Sequence, residues 1–147
     1  MKRKILLKEA KIISNKVKKE YLEKGIKLIQ VGSIARKVAM VSDIDFITSD
    51  DLGAGRKYIV FNYPTRSGHV QVDIWHAEKE NFKLAKDLRS YPAYYVIGLR
   101  KKLNPKGYHL SDQELLKGNE KIKYQGFQWL TQLAGVVYHP LSYYAEE

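Results

Sequence analysis

Two short stretches constrain this chain more than any other feature: Asp43-Ile-Asp-Phe-Ile-Thr48 and Val70-Gln-Val-Asp-Ile-Trp75. Both read as strands, and along a strand successive side chains point to opposite faces. Asp43 and Asp45 therefore share a face, while Ile44 and Phe46 point the other way, toward a core. In the second stretch Val70, Val72 and Ile74 take one face, and Gln71, Asp73 and Trp75 the other. If the two strands are neighbours, one side of their sheet is buried and the other gathers three carboxylates. Such a cluster repels itself and raises its own pKa values. A divalent cation removes that penalty, and hard Mg²⁺ prefers oxygen ligands. Asp43, Asp45 and Asp73 are thus the candidate catalytic residues and ligands of two Mg²⁺ ions, with Mn²⁺ as a substitute. The chemistry that fits is in-line phosphoryl or nucleotidyl transfer. Asp-x-Asp alone also occurs in solvated loops. Its place on an apolar strand, with a third Asp on another, is what favours the metal reading.

Charge separates the chain into three parts. Its net charge of +10 divides into +7 over residues 1–27, zero over 28–77 and +3 over 78–147, and every acid of the middle part is Asp. Basic flanks around an Asp-bearing centre fit polyanion contact outside and metal chemistry inside. The plainer alternative is that the lysines keep the protein soluble. The 147 residues contain no Cys, which excludes disulfides, thiolate zinc sites and cysteine nucleophiles and fits a reducing compartment. The apolar runs are too short to span a membrane. The basic start, Lys2-Arg-Lys4, is followed by an apolar run that stops at Leu7, too short for a secretory signal. An intracellular monomer, cytoplasmic or viral and without a membrane partner, is expected.

Leu6, Ala10, Ile13, Val17 and Tyr21 lie on one face of a helix over about residues 4–24, with Lys8, Lys11, Lys16, Lys18 and Lys19 on the other and Gly25 as its stop. A short strand over 27–31 follows, then Gly32-Ser33 and a helical turn at 34–39. Residues 56–63 and 69–75 read as a hairpin around a Pro64–Gly68 turn. Tyr58, Phe61 and Tyr63 are expected to pack on the sheet. Residues 79–88, 93–103 and 126–133 read as helices, with a second small hairpin between residues 107 and 116. The four His show no metal-ligand spacing.

Gly32-Ser33 closes a strand. A glycine there allows close backbone approach, a hydroxyl follows, and Arg36 comes about one turn later, where a guanidinium can clamp phosphate. Gly32, Ser33 and Arg36 are the candidate nucleotide-binding residues.

The pattern Gly32-Ser33-x-x-Arg36-x6-Asp43-x-Asp45, followed by Val70-Gln-Val-Asp73-Ile, resembles the nucleotidyltransferase superfamily, and within it the X-family (DNA polymerase β-like) polymerases. Arg100, Leu103 and Gly107-Tyr-His-Leu-Ser-Asp112 resemble that family's C-terminal subdomain, and Gly135-Val-Val-Tyr-His-Pro140 its closing segment. The likeness is closest to the minimal, two-domain viral members. It implies an α+β fold: a nucleotidyltransferase palm at 1–87, a mixed sheet with helices on one face, and a small mostly helical C-terminal subdomain with a short hairpin at 88–147. It also implies that Asp43 and Asp45 hold both metals, Asp73 the metal at the primer 3′-hydroxyl, and Gly32, Ser33 and Arg36 the incoming triphosphate. Arg100 would lie near the templating base. The expected activity is DNA-directed DNA synthesis from dNTPs on a primer–template or gapped duplex, in gap-filling repair. Lys11, Lys18, Lys101 and Lys102 are the candidate DNA-backbone contacts. Two departures stand out. Where the family has Tyr-Phe-Thr-Gly at the subdomain junction, this chain has Leu88-Arg-Ser-Tyr91. Where it has a second Arg after Gly-Ser, this chain has Ala35. The alternative is nucleotidyl transfer to a non-templated acceptor such as an RNA end, a small molecule or a protein.

Overall fold

A computed structural model describes residues 4–66 and 68–145. Lys2 and Arg3 of the basic start, and Ser67 of the expected turn, lie outside the described residues. The central sheet has four strands in the order β2-β4-β6-β5: β2 (Ile29–Val31), β4 (Asp43–Thr48), β6 (Gly68–His76) and β5 (Tyr58–Thr65). β2 pairs antiparallel with β4, β4 parallel with β6, and β5 antiparallel with β6. The two acidic stretches are therefore hydrogen-bonded neighbours.

The alternation in those strands determines what covers each face. Ile44, Phe46, Val72 and Ile74 are fully buried against α1 (Leu7–Leu22), which contributes Ala10, Ile13 and Val17. Helix α1 begins later than the periodicity implies. Ile5–Leu6 (β1) instead pairs with Met40–Val41 (β3), a long-range ladder that spacing within a helix cannot reveal. After α1, Gly25 adopts φ +80°, the left-handed conformation that reverses the chain.

The opposite face of the sheet is only half covered. Val31, Ile47 and Ala77 pack against Ala85 of α3 (Phe82–Ser90), with Trp75 and Phe82 at the margin. Helix α3 also supplies Leu84 and Leu88 to a separate core built with α4 (Ala93–Leu103), α5 (Phe127–Ala134) and Tyr144. The expected 87/88 boundary thus runs through a helix that belongs to both cores. Tyr91 is extended ahead of Pro92, which separates α3 from α4. The second hairpin gains a third strand: β7 (Tyr108–Leu110), β8 (Leu115–Lys117) and β9 (Glu120–Lys121) form one sheet. Gly118, at φ +62°, makes the tight turn between β8 and β9. The architecture is a mixed sheet with helices, joined to a mostly helical part that carries a small antiparallel sheet.

Candidate active site

Because α3 covers only one half of the carboxylate face, the half bearing the acids opens into a cleft of about 530 Å³. Asp43, Asp45 and Asp73 line it together with Gly32, Arg36 and Arg100. Asp45 and Asp73 are direct partners across the parallel pair β4–β6, and Asp43 lies opposite Gln71.

The electrostatics are those of an acidic cluster withdrawn from water. Burial pushes the Asp45 carboxyl up to about 7, helped by the charge of Asp73, a hydrogen bond with Asp73 and the charge of Asp43; Arg36 pulls it back down. The raised Asp45 pKa means that a proton taken up there relieves the repulsion within the cluster. Among the described residues, no group of three or more His, Cys, Asp or Glu stands in an arrangement that would itself enclose a metal ion. The donor set still fits a hard divalent cation: oxygen ligands only, three carboxylates on one face, and a repulsion that a cation can neutralise in place of a proton.

Gly32 and Arg36, two of the three residues expected to bind the nucleotide, stand beside the acids. Helix α2 (Gly32–Ala35) begins two residues before the expected 34–39 turn. It is closed early by Lys37, which takes φ +59° so that Lys37 and Val38 donate to the carbonyls of Ile34 and Ser33. Gly32, at φ +73°, packs directly on Asp45: a Cβ added there would strike the Asp45 carboxylate and lie 3.0 Å from its Cβ. The Arg36 guanidinium donates to the Ser33 hydroxyl (3.4 Å) and to the Ser90 carbonyl (3.2 Å), joining the palm sheet to the junction segment.

Other expected residues are placed differently. Arg100 lines the cleft with its guanidinium held by the Leu110 carbonyl (2.9 Å) and Asp112 (2.9 Å). Lys101 and Lys102 are exposed at the end of α4. Lys11 and Lys18 lie on α1, which packs on the sheet face opposite the carboxylates, so the structure does not bring them to the cleft.

Tyr58 corrects the sequence reading. Phe61 and Tyr63 pack against the sheet core as expected, but Tyr58 is 39% exposed on the other face. Its hydroxyl donates to Asp73, and its ring stacks on Trp75 at 4.1 Å. Strand phase was the available signal: Tyr58 is three residues from Phe61, an odd step, whereas Tyr63 is two. Gln71 also donates to both Asp73 oxygens, at 3.1 and 3.2 Å. Arg89 lies over the Trp75 ring at 3.6 Å and pairs with Asp112 at 3.5 Å. Nothing local in the sequence links Arg89 or Asp112 to the acids.

No known family's sequence profile matches the chain. No curated protein sequence matches it either. Solved structures do. Leishmania infantum polymerase beta in a ternary P/T complex is similar over 99% of this chain and 77% of its own, with a TM-score of 0.75 at 16% identity. The same protein in a ternary gap complex is similar over 95% of this chain and 70% of its own, with a TM-score of 0.74 at 15% identity. At this identity the likeness establishes the fold: a polymerase-β-like palm with its adjoining helical part.

Proposed function

We propose that the chain is a nucleotidyltransferase acting as a minimal DNA-directed DNA polymerase, extending a primer 3′-hydroxyl with dNTPs, and that gap-filling repair is its setting. The observation that carries this reading is the convergence of Asp43, Asp45 and Asp73 beside Gly32 and Arg36 at one cleft of a polymerase-β-like fold. Asp43 and Asp45 would hold two Mg²⁺ ions, or Mn²⁺ in their place, with Asp73 holding the one beside the 3′-hydroxyl. When bound, these ions supply the polarisation of the attacking and leaving oxygens.

The chain's own residues do the rest. Arg36, together with Ser33 and the close-packed Gly32 backbone, meets the triphosphate and offsets its charge. Arg36 already bridges to Ser90, so triphosphate binding and the position of the junction segment are linked through one guanidinium. Arg100, Lys101 and Lys102 lie on α4, the helix that borders the cleft, and contact the nucleic acid there. Lys11 and Lys18 would meet a separate stretch of duplex backbone, behind the sheet.

A second reading, transfer to a non-templated acceptor, is favoured by the junction Leu88–Tyr91. Tyr91 is only 7% exposed and donates its hydroxyl to the His139 carbonyl, while the Ser90 carbonyl is taken by Arg36. Tyr91 lines the cleft, but its hydroxyl and the Ser90 carbonyl are both engaged within the chain. One assay separates the readings: gapped, blunt and single-stranded DNA offered with each dNTP and each NTP, with Mg²⁺ or Mn²⁺. Template-directed incorporation supports the polymerase. Untemplated or RNA-end transfer supports the alternative, and binding without incorporation contradicts both.

A further inference from the structure

We propose that Tyr58 is a positioning residue of the carboxylate site, fixing Asp73 through its hydroxyl and anchored through the stack Tyr58–Trp75–Arg89 to the C-terminal part of the molecule. This rests on the reading of Asp73 as a metal ligand and deepens it.

Three observations carry the inference. First, Asp73 is 4% exposed, and its side-chain donors, Tyr58 and Gln71, are both neutral. Neutral donors fix the orientation of a carboxylate without cancelling its charge. A guanidinium or ammonium in the same place would satisfy the oxygens and compete with a cation. Second, Tyr58 lies on the edge strand β5, and its hydroxyl is turned inward to Asp73. The other β5 side chains on this face, Val60, Asn62 and Pro64, are exposed, and the Tyr58 hydroxyl reaches Asp73. Third, the Tyr58 ring cannot swing freely. Trp75, its direct cross-strand partner, stacks on it at 4.1 Å, and Arg89 covers the far side of the tryptophan at 3.6 Å. Arg89 is itself paired with Asp112, which also holds Arg100. The stack therefore runs from a cleft-lining cation on the helical side to a carboxylate on the sheet. Partners of this kind, which orient a ligand without touching the metal, change metal affinity by about 10–100-fold when removed.

The test uses the whole chain and Mn²⁺ alone, titrated by electron paramagnetic resonance, with thermal melting as the control. Tyr58→Phe keeps the ring stack and removes only the hydroxyl. Its Mn²⁺ affinity is expected to fall by about ten-fold or more with an unchanged melting temperature. Gln71→Leu, which removes the second donor, is expected to fall in the same direction. Asp73→Ala is expected to lose the site. If Tyr58→Phe and Gln71→Leu bind Mn²⁺ as wild type does while Asp73→Ala does not, the positioning role is overturned and the metal reading stands. If Asp73→Ala binds as wild type does, or wild type binds no Mn²⁺, the metal reading falls and the positioning role with it.

Discussion

Asp45 on β4 and Asp73 on β6 are register partners in a parallel strand pair, and both side chains line the same cleft. Two acids in this position cannot both be ionised cheaply. The Asp45 carboxyl accordingly rises to about 7, chiefly through burial and then through the charge of Asp73. A core packed on one sheet face holds these backbones rigidly, so the acids cannot separate to escape the repulsion. A proton on Asp45 or a bound cation relieves it, and the chemistry proposed for the cleft uses the cation.

Gly32 sits where only glycine fits. It combines φ +73° with direct contact to Asp45, so a methyl group there is opposed by backbone strain and by collision. Gly32→Ala is expected to lower unfolding free energy by about 1–3 kcal/mol and to remove nucleotidyl transfer by displacing Asp45. Urea denaturation beside a turnover assay measures both. Wild-type stability and activity would show that Asp45 does not depend on this contact.

Asp87 gives a pH-dependent signature away from the cleft. Burial raises its carboxyl above the ordinary range, outweighing the 2.5 Å hydrogen bond donated by the Tyr124 hydroxyl. A folded pKa above the unfolded one means that this group's stabilising contribution is fully present below the unfolded pKa and is lost as pH rises through the folded one. Asp87→Asn keeps an acceptor for Tyr124 and removes the ionisation. It is expected to raise the urea midpoint at pH 7 and to lose that advantage near pH 3.5. An equal shift at both pH values would show that the ionisation of Asp87 is not responsible.

The lysines make a quantitative expectation about salt. Each phosphate contact removed lowers the magnitude of the slope of log affinity against log salt by about 1 on duplex DNA. Lys101→Ala with Lys102→Ala is expected to flatten the slope by about 2, since both side chains are exposed on the helix that borders the cleft. Lys11→Ala with Lys18→Ala tests whether α1, on the far side of the sheet, touches duplex at all. An unchanged slope for both pairs would place the DNA grip elsewhere.

Tyr91 closes the C-terminal core. Its ring stacks on Phe127 at 3.9 Å, and its hydroxyl donates to the His139 carbonyl at 3.1 Å. Tyr91→Phe is expected to cost about 1 kcal/mol through the lost hydrogen bond, and Tyr91→Ala about 3–5 kcal/mol through the cavity. Chemical denaturation of the two variants checks the ratio. Comparable losses would mean that the hydroxyl, rather than the ring, holds the tail.

Much of this arrangement was legible because it depends on local alternation. The strand Asp43–Thr48 begins and ends where its pattern does, and the opposing faces of 70–75 follow directly from period two. What escaped depends on contacts between distant residues. Leu6 reads as helix because its apolar spacing continues that of α1, and Ile5 falls within the same range, but pairing with Met40 and Val41 draws both into a ladder. Lys11 and Lys18 look like a nucleic-acid face in one dimension. Only the packing of α1 places them behind the sheet. Tyr58, grouped with Phe61 and Tyr63 by composition, is separated from them by strand phase. The ties of Asp112 to Arg89 and Arg100 join segments whose sequences carry no common pattern. At 67% side-chain exposure of Asp112, these pairs order the cleft wall more than they stabilise the fold.

Primer extension on gapped DNA with Mg²⁺, comparing wild type with Asp43→Ala, decides whether the three aspartates perform metal-dependent nucleotidyl transfer. Asp43 lines the cleft and contributes nothing to the buried apolar core. Wild type is expected to add templated nucleotides only when Mg²⁺ is present, and Asp43→Ala to add none while melting at the same temperature. Templated extension by folded Asp43→Ala, at a rate near that of wild type, would contradict the assignment of these carboxylates.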